Sequence, residues 1–185
     1  MTLFFRYTLK RLHVVPVAAI QKNLWELKKQ YCLWYLGVQN GDRSIIFLDE
    51  VGFCVTMRTS RGRAKSGKKA ILTGPAIKSR NITVIAAVCK KQLLYYEILP
   101  GPGNTERFLH FIVNLANERD NAELPGDSII IMDNVAIHKH RDVIEMMEIR
   151  GFTHKFLPAY SKFLNPIECL FSQWKSDVKK ISSDM

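Results

Sequence analysis

The chain lacks any apolar run approaching the ~20 residues that a membrane span requires. Its longest run near the start, Val14 to Ile20, is short and interrupted by Pro16. The opening decapeptide, MTLFFRYTLK, meets Arg6 before any small-residue cleavage site, so a secretory leader is not expected. Cysteine is sparse: Cys32, Cys54, Cys89 and Cys169 are far apart and form no CxxC pair, which argues against a zinc ribbon or a disulfide framework and fits a reducing compartment. Internal repeats and low-complexity tracts are absent as well. The most telling absence is of acid. From Val51 to Tyr96 there is no Asp or Glu, while ten Lys and Arg residues fall there. The rest of the chain balances 17 basic residues against 17 acidic ones, so this one segment holds the whole formal charge of +10. A polyanion is the partner such a segment points to.

What is present is the composition of an ordinary globule: 185 residues, 47% hydrophobic and 24% charged, enough for one domain with a short appendage. Gln21 to Gln39 reads as an amphipathic helix, with Leu24, Leu27, Tyr31, Trp34 and Tyr35 near helical spacing. Ser44 to Asp49 (SIIFLD) reads as a buried strand, with Val51 to Met57 as its hairpin partner turning near Gly52. Arg58 to Lys69 is a glycine-punctuated basic loop. Asn81 to Val88 and Gln92 to Leu99 are further strand candidates. Beyond Gly103 the period changes. Asn104 is placed to cap a helix whose apolar face is Phe108, Phe111, Ile112 and Leu115. Ser128 to Met132 has the continuous apolar character of an interior strand. Asp142 to Ile149 reads as a helix, Phe152 to Leu157 as a strand, and the segment from Leu164 as a helix with Leu164, Ile167, Phe171, Trp174 and Val178 along one side. The order is a helix, three strands, a helix, a strand, a helix, a strand and a helix. That implies an α/β fold with a mixed sheet flanked by helices.

Three acidic residues stand at element ends: Asp49 closing the first strand, Asp133 just past SIIIM, and Glu168 in the first turns of the last helix. Singly, each is most simply a capping or turn residue. If the strands bearing Asp49 and Asp133 are neighbours, the two carboxylates emerge together, and Glu168 can join them from the helix started by Asn165 and Pro166. Three hard oxygen ligands without His or Cys suit Mg²⁺ or Mn²⁺. Glu50, one residue on from Asp49, should face the other side of the sheet and pair with an Arg. His138 reads as a helix-start histidine, with assistance to the site as the alternative.

FLDEVGF (47–53), RGRA (61–64), IMDN (131–134) and YSKFLNPIE (160–168), with 34 residues between Asp133 and Glu168, resemble the catalytic signature of Tc/mariner-type DDE transposases. YTLKRLHVVPV (7–17) and the Trp-containing helix resemble the stretch joining that family's DNA-binding region to its catalytic domain. The resemblance implies a ribonuclease H-like, five-stranded mixed sheet over residues 44–185, with residues 1–43 as remnant of the DNA-binding region and linker helix. It implies two divalent ions, Mg²⁺ or Mn²⁺, with Asp49 bridging both, Asp133 on one and Glu168 on the other. It further implies hydrolysis of phosphodiesters at transposon ends and joining of the freed 3′-OH to target DNA, by a homodimer on DNA. Two departures qualify this. The family carries two helix-turn-helix modules ahead of the linker, of which only the tail of the second is expected here, and Cys169 stands where Asn is common.

Gly62 to Lys69 nearly spells a phosphate-binding GxxxxGK[ST] loop, but Lys69 replaces the hydroxyl that would ligate Mg²⁺, so no nucleotide cofactor is expected. Arg58, Arg61, Arg63, Lys65, Lys68 and Lys69 read instead as contacts to DNA phosphates beside the carboxylates. The same residues suit a nuclear localisation signal; the expected location is the nucleus in a eukaryote, otherwise the cytoplasm. The competing readings are a nuclease of the same fold without strand transfer, and an inactive or domesticated remnant that only binds nucleic acid.

Overall fold

The computed structural model describes residues 22–54, 64–69, 71, 81–90 and 92–184. Arg58, Arg61 and Arg63, and the segment 7–17, lie outside them. The elements are α1 (Lys22–Val38), β1 (Ile45–Cys54), β2 (Asn81–Cys89), β3 (Leu93–Pro100), α2 (Thr105–Asn121), β4 (Ile129–Met132), α3 (Arg141–Ile149), β5 (Thr153–Phe156) and α4 (Ile167–Asp184). Two 3-10 turns, Ile137–Lys139 and Lys162–Leu164, precede α3 and α4.

The five strands form one sheet in the order β3-β2-β1-β4-β5. β1, β2 and β3 make an antiparallel meander, and β4 and β5 continue it in parallel with β1. β4 is buried along its whole length because it lies inside the sheet with helices on both faces, which is why its sequence is an unbroken apolar run.

Alternation along β1 sends its side chains to two separate cores. Ile46 and Leu48 join Ile130 and Met132 beneath α2 and α3, where Phe108, Phe111 and Met147 are fully buried. Large side chains of this kind contribute roughly 1.5–3 kcal/mol each on burial. Phe47, Val51 and Phe53 face the other way. Tyr31 of α1 packs near Phe47, Ile129 and Ile131, and Ile167 and Phe171 of α4 pack near Val51, Phe53, Val84 and Ala86. Leu27, read as part of the apolar stripe of α1, is exposed; the face of α1 that meets the sheet is narrower than its apolar pattern.

Two expectations are corrected. Val51 does not begin a hairpin partner of the first strand, because β1 runs unbroken from Ile45 to Cys54. Gly52 lies within it opposite Thr83, and β2 supplies the antiparallel partner from Ile46↔Cys89 to Cys54↔Asn81. A glycine in a strand context is compatible with a turn or with extended backbone, and pairing with a long β2 selects the second. Asp49 consequently sits in the middle of β1, opposite Ala86, rather than at its end. What ends near Asp49 is the parallel pairing with β4, whose last partners are Phe47 and Ile131.

Candidate active site

The register of the two central strands brings the first two carboxylates together. Continuing the Phe47↔Ile131 pairing by two residues sets Asp133 beside Asp49, where β4 has ended and β1 has not. Glu168 arrives from α4, whose Ile167, one residue earlier, is fully buried on the same face of the sheet. Asn165 fixes where that helix starts: its side-chain oxygen accepts from the Ile167 N–H at 3.4 Å. The same side chain turns its amide nitrogen toward Asp49 Oδ2 at 3.5 Å.

Asp49 is 5% exposed. Its Oδ1 accepts from the Glu50 N–H at 2.8 Å. Burial, helped by the charges of Asp133 and Glu168, pushes its carboxyl up to about 6, against the Glu50 N–H and the Lys162 ammonium. Asp133 is held the other way. Burial would raise it, but the hydrogen bond and charge of His138, together with Lys162 and the Val135 N–H, outweigh burial and lower it. His138 Nδ1 lies 2.9 Å from Asp133 Oδ1 and 3.2 Å from its carbonyl oxygen. The imidazole is 1% exposed and packs on the Phe108 ring at 4.6 Å between centroids. Burial works against its charge, yet Asp133 and Glu50 raise its pKa. Glu168 has Lys162 Nζ at 3.7 Å.

Glu50 faces away from Asp49, as alternation requires, but the Arg expected to pair with it is replaced by a histidine. It is half-buried, with Oε1 lacking a hydrogen-bond partner, and the nearby charge of His138 offsets part of the cost of its burial. The loop before α2 closes over it: a Cβ on Gly103 would lie 3.2 Å from both Glu50 oxygens.

The structure thus gathers Asp49, Asp133 and Glu168 into one electrostatic neighbourhood. Among the described residues, no three acidic, His or Cys side chains close tightly enough to ligate a single ion. The donor set nonetheless fits divalent cations. It is all carboxylate oxygen, and Asp49, pressed by two like charges, is a group that a cation would relieve. Lys65, Lys68 and Lys69 are exposed on a turn closed by Lys68 N–H to Lys65 O at 2.9 Å. Lys162 and the second role of Asn165 were not legible from sequence, where Asn165 reads only as a cap. His138 could be traced to its spacing from Asp133.

The fold is shared with solved structures of Mos1 transposase. The Mos1 mariner paired-end complex with Mn matches at TM-score 0.77 and 22% identity over 94% of this chain and 54% of that one. The paired-end complex with left transposon end matches at 0.75 and 22%, with the same coverage. The separate catalytic domain of Mos1 mariner transposase matches at 0.64 and 17%, over 90% and 74% of the two chains. The chain therefore spans about half the length of the complete transposases it matches, and its fold is the ribonuclease H-like one. Among curated proteins, none matches the chain significantly. Residues 44–184, from the start of the sheet through α4, match the model of the DDE superfamily endonucleases, and the chain belongs to that family.

Proposed function

We propose that this domain cuts DNA phosphodiesters with divalent ions held by Asp49, Asp133 and Glu168, at transposon ends, and joins the freed 3′-OH to target DNA. The observation that carries the reading is Asp49: a buried carboxylate at the centre of the sheet, beside two more carboxylates, whose charge is offset by the Glu50 N–H, a long contact to Asn165 and the Lys162 ammonium, and whose pKa is still raised. Asp49 would be shared by two ions, with Asp133 completing one set and Glu168 the other. When bound, such ions activate a water for in-line attack on phosphorus and stabilise the leaving 3′ oxygen.

The chain's own residues prepare the site. His138 fixes the rotamer of Asp133 from the dry side of the sheet. Asn165 spans Asp49 and the start of α4, so that Glu168 is placed by the same residue that touches the shared ligand. Lys162 partly neutralises the carboxylates and would give way to cations. The Lys65–Lys69 turn and the arginines before it would hold phosphates, and synapsis of two ends would use a homodimer. Mn²⁺ and Mg²⁺ complexes of Mos1 support the choice of metal.

Purified protein incubated with end-labelled DNA in Mn²⁺ or Mg²⁺ should nick it, and Asp133→Asn should reduce nicking to background. Equal nicking by the variant would remove Asp133 from the site. Binding without nicking in either protein would favour a remnant that only binds nucleic acid.

A further inference from the structure

Two aromatic side chains beside the carboxylates, Tyr160 and Phe163, have no part in the proposed hydrolysis. Asp133, Tyr160, Lys162 and Phe163 line a common cleft of about 530 Å³. Tyr160 is 54% exposed and Phe163 72%, whereas Phe108, Phe111 and Phe152 are buried in the core. Single exposed apolar residues are ordinary. Here two rings flank one lysine within a four-residue stretch, at the mouth of a cleft that begins at Asp133. Tyr160 also has φ 54°, a left-handed backbone that a bulky residue rarely adopts. The chain thus accepts an unfavourable conformation at a residue whose ring it leaves in solvent.

Charge accompanies the rings. Lys28 of α1 lies over Phe163, 5.5 Å from its centroid, and 5.3 Å from the ring centre of Trp25, itself exposed. Lys162, exposed and in a loose 3.7 Å pair with Glu168, is tied down by little, since exposed pairs of this kind contribute ~1 kcal/mol or less. Aromatic faces interleaved with cations suit a nucleic-acid strand whose bases are free to stack. A duplex offers its phosphates and base edges, but its base faces are already stacked on one another, so it would leave these rings unused.

We propose that the cleft binds unpaired nucleotides, with bases stacked on Tyr160 and Phe163 and phosphates against Lys162 and Lys28, so that the strand reaches Asp133 single-stranded. This rests on the reading that DNA is the substrate. The test is binding, in chelator, of a fluorescent thymidine oligonucleotide, an abasic strand of equal length, and a duplex. The double variant Tyr160→Asn, Phe163→Ala is suited to it, because Asn tolerates the left-handed backbone and Phe163 is exposed. The variant should bind the thymidine strand about tenfold or more weakly, the order expected on losing stacking partners. Its affinity for the abasic strand and the duplex should be unchanged, and Tyr160→Phe should bind all three as the original does. An unchanged affinity for the thymidine strand, or an equal loss on the abasic strand, would overturn the inference while duplex binding by the original protein left the DNA reading intact. Failure of the original protein to bind any of the three would overturn both.

Discussion

A carboxyl that is 5% exposed and flanked by two other carboxylates holds its proton more tightly in the folded chain than in the unfolded one. For Asp49 the sign follows directly. Between its ordinary value near 4 and its folded value of about 6, the native state binds a proton that the unfolded state has released. Stability from this group is therefore present at low pH and falls as pH rises through about 6, by roughly 3 kcal/mol in total for a shift of this size. In chelator, Asp49→Asn should gain on the original protein as pH goes from 4 to 7, measured as the difference in urea midpoint. A difference that does not change with pH would show that Asp49 is not the titrating group. Mg²⁺ or Mn²⁺ should restore stability above pH 6 in the original protein and little in the variant, because a cation rewards the ionised carboxylate.

Elements are held in place by fewer residues than their length suggests. Arg119, near the end of α2, is buried and donates through one guanidinium nitrogen to the Gly126 carbonyl at 3.0 Å and the Arg150 carbonyl at 2.9 Å. It also lies 4.4 Å from the centre of the Phe152 ring. It thereby ties α2 to the turns that lead into β4 and β5. Gly151, in the second of those turns, has φ 77°, and a Cβ there would come 2.8 Å from the Gly126 carbonyl oxygen. Arg119→Ala should lower unfolding free energy by about 1–3 kcal/mol, since it removes a buried side chain and takes the donor from two part-buried carbonyls. Gly151→Ala should cost about 1–3 kcal/mol. Chemical denaturation reads both, and a loss below about 0.5 kcal/mol in Arg119→Ala would mean that the ties are not limiting. Helix periods made α2, α3 and α4 legible in the sequence, since an apolar face at three- and four-residue spacing has few other uses. Gly52 misled because glycine fits both a turn and extended backbone, and only a long partner strand decides between them.

At the scale of the molecule, charge is segregated. The acidic cluster gathers Asp49 of β1, Asp133 just past β4 and Glu168 of α4, and the basic loop joins β1 to β2. DNA would otherwise be repelled from carboxylates, so the lysines should account for a distinct part of the salt dependence. Replacing Lys65, Lys68 and Lys69 with Ala should flatten the slope of log affinity against log salt by about 2–3, at roughly 0.9 per phosphate contact. A slope unchanged by the triple substitution would mean that this turn touches no phosphate.

The sequence by itself determined the element order, the mixed sheet, the all-carboxylate chemistry of the candidate site and the position of the excess charge. Each of these depends on local pattern: periodicity, residue chemistry and spacing along the chain. Only the tertiary structure decided that Asp49 lies inside a continuous strand and that His138 reaches Asp133 from the dry face. It alone placed Lys162 among the carboxylates, Asn165 between Asp49 and α4, and two aromatic rings in the open beside them. These depend on strand register and on which face each helix covers, and those are fixed by pairing between residues far apart in the chain, where no local pattern reaches.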